Sequence, residues 1–231
     1  MRWSPTVVII AHRAYRNGPD PLRENRLPAV IECLRLGWGV EIDIRRAADG
    51  RFYISHDPAS DTDTRDASPF FDAIRRHASA PVALNVKELG YEPDLVRYLR
   101  TADVLGRLFL FDMELLERDR GATARRFRAI DPAVRLAARV SDRNEPIEAA
   151  LGLEIADVVW VDEFDSLWVS EPDVRALKTR GRAVFAISPE IHGFSHEAMT
   201  RRWREFAAWG VDGICTDFPE RLQAEMTRQP A

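Results

Sequence analysis

The chain is poor in cysteine. Cys33 and Cys215 are the two it has among 231 residues, 182 positions apart. They form neither a metal-ligand pair nor a C-x-x-C redox pair, so a disulfide framework, a zinc ribbon and a thioredoxin-type site are excluded, and both read as reduced packing residues. Long apolar runs are missing too. The longest near the start, Val7 to Ala11 after Met1-Arg2-Trp3-Ser4-Pro5, is too short for a signal core with a cleavage site and far too short to span a bilayer. An excess of positive charge is also lacking. Thirty-three Lys and Arg against 37 Asp and Glu leave a net charge of −4, which gives no electrostatic reason to expect nucleic acid or an anionic membrane as partner. No low-complexity segment or linker divides the chain, so residues 1–231 are expected to form one cytoplasmic domain with a full core.

What is present is an alternation of strand and helix signals. Val7-Val8-Ile9-Ile10-Ala11 reads as a buried parallel strand and stops at His12-Arg13. Leu27 to Leu36 carries Leu27, Val30, Ile31 and Leu34 at helical spacing. Gly39 to Arg45 is a strand, Asp49-Gly50 a tight turn, and Phe52 to Ser55 a strand leading to His56-Asp57. Further strands are expected at 82–86, 108–111, 134–140, 158–161, 183–187 and 213–215. Helices are expected at 69–77, 92–101, 114–130 with a break near Gly121, 171–180, 196–209 and 220–226.

About eight βα repeats of this kind predict a (β/α)₈ TIM barrel, with a doubly wound open sheet as the competitor. The placement of polar residues favours the barrel. His12, Asp43, Lys87, Asp112, Arg139, Asp162, Glu190 and Asp217 all fall at or just past the C-terminal ends of expected strands. A barrel gathers those ends at one mouth, whereas an open sheet would string them along an edge.

The most unusual strand is Gly39-Val40-Glu41-Ile42-Asp43-Ile44-Arg45. Val40, Ile42 and Ile44 point one way, and Glu41, Asp43 and Arg45 the other. Two carboxylates on one face of an otherwise apolar strand repel each other, and burying them unpaired costs several kcal/mol. A bound Mg²⁺ or Ca²⁺, two separate salt bridges, or a solvated face would each relieve this. The lone-residue readings stay open elsewhere. Lys87 fits an ion pair or a Schiff base, Glu24 and Asn25 either a helix cap that pins the loop or a substrate contact, Asp112, Asp162 and Asp217 loop-holding acceptors, and Glu190 and His192 a mouth or a capped loop.

The ordered set Ile10-Ala11-His12-Arg13, Glu24-Asn25, Glu41-Ile42-Asp43 and His56-Asp57, closed by the stretch from Gly210 to Pro219 with its Thr216-Asp217-Phe218-Pro219 ending, resembles the glycerophosphodiester phosphodiesterase family over essentially the whole chain. The resemblance implies a phosphoric diester hydrolase of lipid metabolism acting on a small-molecule phosphodiester. His12 and His56 would be its acid–base pair, Arg13 and Lys87 its phosphate ligands, and Glu41 and Asp43 the ligands of a divalent cation, Mg²⁺ or Ca²⁺. Two positions depart from the family pattern. Ala14 stands where the family has glycine after His-Arg, and Asn85 stands where it has a third acidic ligand two residues before the lysine. An amide oxygen can still ligate a hard cation, without the charge, so Asn85 itself, or Glu190 or Asp162 from other strand ends, would complete the set. The same departure motivates the alternative, a catalytically silent phosphate-ligand binding protein on the same barrel. A metal-dependent hydrolase of non-phosphate bonds would need a His-x-His pair after the first strand, which His12-Arg13-Ala14 does not provide.

Overall fold

A computed structural model describes residues 7–143, 145–152 and 154–227, so Met1 to Pro5 lie outside the described residues. Among the described residues nine strands and eight α-helices follow one another. They are β1 (Val8–Ala11), α1 (Leu27–Arg35), β2 (Gly39–Arg46), β3 (Phe52–Ile54), α2 (Ala67–His77), β4 (Val82–Val86), α3 (Glu92–Thr101), β5 (Leu108–Phe111) and α4 (Ala122–Ile130). After these come β6 (Ala137–Val140), α5 (Ile147–Gly152), β7 (Val158–Val161), α6 (Glu171–Thr179), β8 (Ala183–Ile187), α7 (His196–Trp209), β9 (Gly213–Thr216) and α8 (Pro219–Thr227).

Eight strands run parallel in the order β5-β4-β2-β1-β9-β8-β7-β6. A parallel bridge between Leu110 and Leu136, with the Leu110 N–H donating to Arg135 O at 3.0 Å, joins the two ends and closes the (β/α)₈ TIM barrel. β3 stands outside the ring. It pairs antiparallel with the end of β2, Ile44 opposite Ile54, through the Asp49-Gly50 turn, where Gly50 takes φ +91°.

The period-2 pattern sorts side chains into two apolar layers and a polar mouth. Val40, Ile42 and Ile44 of β2, Val82, Leu84 and Val86 of β4, and Leu108 and Leu110 of β5 face the surrounding helices. Their alternates face inward, where Ile10, Ala83, Phe109, Phe111, Trp160, Phe185 and Cys215 fill the barrel. Ring centroids of 4.6 Å for Phe111–Trp160 and 5.4 Å for Phe109–Phe185 make this an aromatic plug beneath the mouth. In the same register Glu41 lies opposite Ala83 and Asp43 opposite Asn85, so the two acids of β2 point into the barrel.

The elements depart from sequence expectation in the second half. The helix expected over 114–130 is a short 3₁₀ turn at Met113–Leu115 followed by α4. Left-handed Asp112 (φ +69°) precedes the turn and Gly121 (φ +82°) precedes α4. The strand expected from Val134 begins only at Ala137, because Val134 belongs to the turn entered from Asp131, to whose C=O its N–H donates at 3.1 Å. α5 had no clear apolar period and was not expected at all.

Gly39 marks where two strands crowd. A Cβ there would come within 2.3 Å of the Pro81 carbonyl oxygen, a backbone atom with little freedom to yield. Gly39→Ala is therefore expected to cost about 1–3 kcal/mol, read as a lower urea midpoint at unchanged m value.

Candidate active site

The C-terminal ends of the strands surround a cavity of about 430 Å³. His12, Arg13, Glu41, Asp43, His56, Asn85, Lys87 and Asp217 line one side, and Asp112, Arg139, Trp160, Asp162, Phe164 and His192 the other. A larger space of about 930 Å³ opens at the opposite end around Pro81, Leu108, Arg135 and Arg182, but it gathers none of the strand-end set. Chemistry in barrels of this kind sits at the C-terminal mouth, and the residues rather than the volumes decide between the two.

His12 follows β1, and Asp217 follows β9. Because β1 and β9 pair with Ala11 opposite Thr216, the two side chains meet, and His12 Nδ1 lies 2.7 Å from Asp217 Oδ1. His12 Nε2 faces Glu41 at 3.9 Å. Burial works against a charge on His12, but the Asp217 hydrogen bond and the Glu41 and Asp217 charges outweigh it and hold the imidazole above its ordinary 6.5. His56 is held the other way. Burial lowers it, and the Arg13 and Lys87 cations add to that against the pull of Asp43 and Asp57. Its Nδ1 lies 3.0 Å from Asp57 Oδ1.

The His12-Arg13-Ala14 turn is left-handed at Arg13 (φ +46°) and Ala14 (φ +61°). The conformation that glycine adopts freely is thus kept by alanine, at a local cost of roughly 1–2 kcal/mol. The turn aims the Arg13 N–H at Glu41 Oε2 (3.1 Å) and its guanidinium at Glu24 (2.9 Å), with Nε 3.9 Å from Asp43. Asn25, fully buried at φ +53°, clamps the same turn to β2. Its N–H donates to Arg13 O at 2.9 Å, its Nδ2 donates to Asp43 Oδ2 at 2.8 Å, and its Oδ1 accepts the Asp43 N–H at 3.3 Å. Asn25 therefore pins the site rather than capping α1.

Glu41 and Asp43 are almost completely buried. Burial and the Asp43 charge push Glu41 up to about 7, against the opposing effect of His12 and Arg13. Asp43 Oδ1 and Asn85 Oδ1, on adjacent strands in register, are buried oxygens that accept no hydrogen bond. Lys87 Nζ stands 3.5 Å from that Asp43 oxygen. Asn85 Nδ2 donates to Asp112 Oδ2 at 3.1 Å, which leaves the amide oxygen as its open acceptor. Unsatisfied buried oxygens cost about 1–3 kcal/mol each, and oxygen donors of this kind suit a hard divalent cation. Among the described residues no group of three or more His, Cys, Asp and Glu side chains is arranged around a metal position, so an oxygen site here would need the Asn85 amide as its third donor.

Glu190 does not line the cavity. Its Oε1 accepts from the Thr216 hydroxyl and the Asp217 N–H, and its Oε2 accepts from the Ser188 hydroxyl. It sits behind Asp217 and holds the residue that holds His12. On the far wall His192 Nε2 is hydrogen-bonded to Asp162 Oδ1, and its ring packs on Phe164 with centroids 4.2 Å apart. Arg139 lies 3.5 Å from Asp112, 2.9 Å from Glu145 and 3.8 Å from Asp162.

No protein-family model matches the chain, and no curated protein matches it in sequence. Solved structures do match its fold. A glycerophosphodiester phosphodiesterase from Parabacteroides distasonis aligns with a TM-score of 0.72 at 16% identity, over 96% of this chain and 97% of the other. One from Agrobacterium tumefaciens aligns at 0.69 and 17%, over 94% and 99%. An Oleispira antarctica phosphodiesterase in complex with the product sn-glycerol-3-phosphate aligns at 0.66 and 15%, over 96% and 98%. The tryptophan synthase α-subunit of Pyrococcus furiosus, another barrel, aligns less well, at 0.57 and 13% over 97% of each chain. At these identities the likeness is one of fold.

Proposed function

We propose that the chain is a phosphoric diester hydrolase that cleaves a glycerophosphodiester to a phosphomonoester and an alcohol. The observation that carries this reading is the meeting of His12, His56, Glu41, Asp43, Arg13 and Lys87 around one cavity at the barrel mouth. The fold shared with glycerophosphodiester phosphodiesterases supports it, and the glycerol phosphate held by the Oleispira protein favours a glycerol-bearing substrate.

Cleaving a P–O bond requires a proton taken from the nucleophile and a proton given to the leaving oxygen. The two imidazoles are pushed apart in just this sense, and such a split assigns the roles. His56, held low, is neutral near pH 7 and serves as base. His12, held above an ordinary imidazole by Asp217 and Glu41, keeps its proton to higher pH than His56 and serves as acid. Arg13 and Lys87 hold the phosphoryl oxygens as their charge grows, and Arg13 can do so through two parallel N–H groups. Asp217 sets the tautomer of His12, and Asn25 keeps the Arg13 turn and Asp43 together.

Glu41, Asp43 and Asn85 would hold a divalent cation, Mg²⁺ or Ca²⁺. When bound, it supplies Lewis-acid neutralisation of a phosphoryl oxygen. Glu190 stays outside this set and acts by supporting Asp217. Because Asn85 contributes an oxygen without a charge, Asn85→Asp is expected to tighten Mg²⁺ or Ca²⁺ binding by about tenfold or more in calorimetric titration. Unchanged affinity would remove Asn85 from the ligand set.

The reading is tested by incubating the protein with glycerophosphodiesters in Mg²⁺ or Ca²⁺ and assaying for sn-glycerol 3-phosphate. Tight binding of the diester with no product at any cation concentration would instead make this a silent phosphate-ligand binding protein. Among the described residues no helix is long and apolar enough to cross a membrane.

A further inference from the structure

The polar face of β2 carries three charged side chains, and the mechanism above employs two of them. The third, Arg45, is mostly buried, with its side chain 12% exposed, and it does not line the cavity. Its Nε and Nη2 both donate to the carbonyl oxygen of His56, at 2.9 and 2.7 Å. The remaining arm of the guanidinium, Nη1, donates to Glu88 Oε1. Glu88 is fixed in turn, since its Oε2 accepts from the Tyr91 hydroxyl at 2.7 Å and the Arg46 N–H at 3.2 Å.

This fork matters because of where His56 is carried. His12, Asp43, Asn85 and Asp217 all stand on or beside strands of the closed ring. His56 instead follows β3, a three-residue strand outside the ring that pairs with β2 and is bridged at Tyr53 to Asp66, at the start of a segment that meets its next regular turn at Thr62–Arg65. The Ser55 N–H donates to Asp43 O at 2.9 Å, and beyond it the Arg45 fork is the tie at the His56 peptide itself. An acid–base group displaced by about 1 Å loses much of its rate advantage.

We infer that Arg45 is a positioning residue for His56, fixing the His56 peptide against the ends of β2 and β4 so that the imidazole faces the cavity. The inference rests on His56 acting as base in the phosphodiesterase reading. Arginine is required because one planar group must serve two acceptors in different directions, the His56 carbonyl and the Glu88 carboxylate, and a lysine ammonium cannot reproduce that fork.

The test combines a thermodynamic cycle with hydrogen exchange. Arg45→Ala is expected to lower kcat by about 10–100-fold with KM changed less than about threefold. Arg45→Lys, which keeps the charge beside Glu88 and guards against a folding failure, should fall between this variant and the parent. In the His56→Ala background, Arg45→Ala should add less than about a twofold loss, because a residue acting only through His56 has nothing left to position. An additive loss in the double variant overturns the inference. Backbone amide exchange over 54–60 should quicken by about tenfold or more in Arg45→Ala while that over 8–14 holds steady, and equal exchange in both segments likewise overturns it. Exchange needs no substrate. If the parent protein turns over no diester, the phosphodiesterase reading and Arg45's catalytic role fall together, while quickened exchange would still establish the tie to the His56 peptide.

Discussion

Replacing His12 by alanine is expected to lower phosphodiester turnover by about 10²–10⁴-fold, and replacing His56 to do the same, in each case with the urea midpoint close to that of the parent. The two losses differ in how they depend on pH. With His56 as the proposed neutral base, the parent's rate is expected to rise with pH through a pKa held below 6.5. With His12 as the proposed protonated acid, the rate is expected to fall as pH climbs through a pKa held above 6.5. The expected profile of kcat/KM is a bell with its top between those two values. His12→Ala removes the alkaline limb and His56→Ala the acid limb. Asp217→Asn, which withdraws the carboxylate charge from His12, moves the alkaline limb to lower pH. A parent profile that stays flat across this range, or a variant that keeps the limb it should lose, removes the imidazoles from the chemistry.

The second large effect is on stability. Arg202→Ala is expected to cost about 3–5 kcal/mol, a large part of the roughly 5–15 kcal/mol that holds a domain together. Glu163 follows Asp162 at the end of β7 and is fully buried. Arg202 of α7 meets it with both Nε, at 2.8 Å, and Nη2, and also donates to Val169 O at 2.6 Å. The guanidinium lies 4.8 and 4.7 Å from the ring centres of Phe206 and Trp209. Burial already raises the Glu163 carboxyl while Arg202 pulls it back, so removing the arginine leaves a charge without a partner. A carboxyl raised in the folded state destabilises where it is ionised, so the Arg202→Ala defect should shrink as pH falls and Glu163 takes up its proton. Replacing the pair together, Glu163→Leu with Arg202→Met, should recover most of the loss in urea unfolding. A single variant as stable as the parent would mean that water already reaches Glu163.

The fold was legible because its signal is local. Each buried strand is a short β-branched or aromatic run, and each helix from α1 to α3 shows its own period and boundary residues, so β1 to β5 fall within a residue or two of expectation. The elements that deviated carry weak local signals. α5 spans six residues, and the 114–130 segment, whose break at Gly121 was expected, is helical only from Ala122, because left-handed Asp112 turns the chain before it into a short 3₁₀ turn at Met113–Leu115.

The site was legible in its membership and much less so in its wiring. Chain order alone placed His12, Asp43, His56 and Lys87 at strand ends and Glu41 on the same strand face as Asp43, and all five line the cavity. Asp217 was read as a possible loop-holder, yet it is the partner of His12, because which strand closes against β1 is decided when the ring closes, 205 residues further along the chain. Glu190 carried the same strand-end signature but turns to Ser188, Thr216 and Asp217 instead of into the cavity. The sequence by itself determined the alternation of strand and helix, the two acids on one face of β2 and the polar set that a barrel must gather at its mouth, since all of these follow from residue type and a period of two or 3.6. Tertiary structure alone decided that Asp217 backs His12, that the open oxygens of Asp43 and Asn85 stand side by side and that Arg45 ties down the His56 peptide, because such contacts depend on strand register and side-chain direction between segments far apart in the chain.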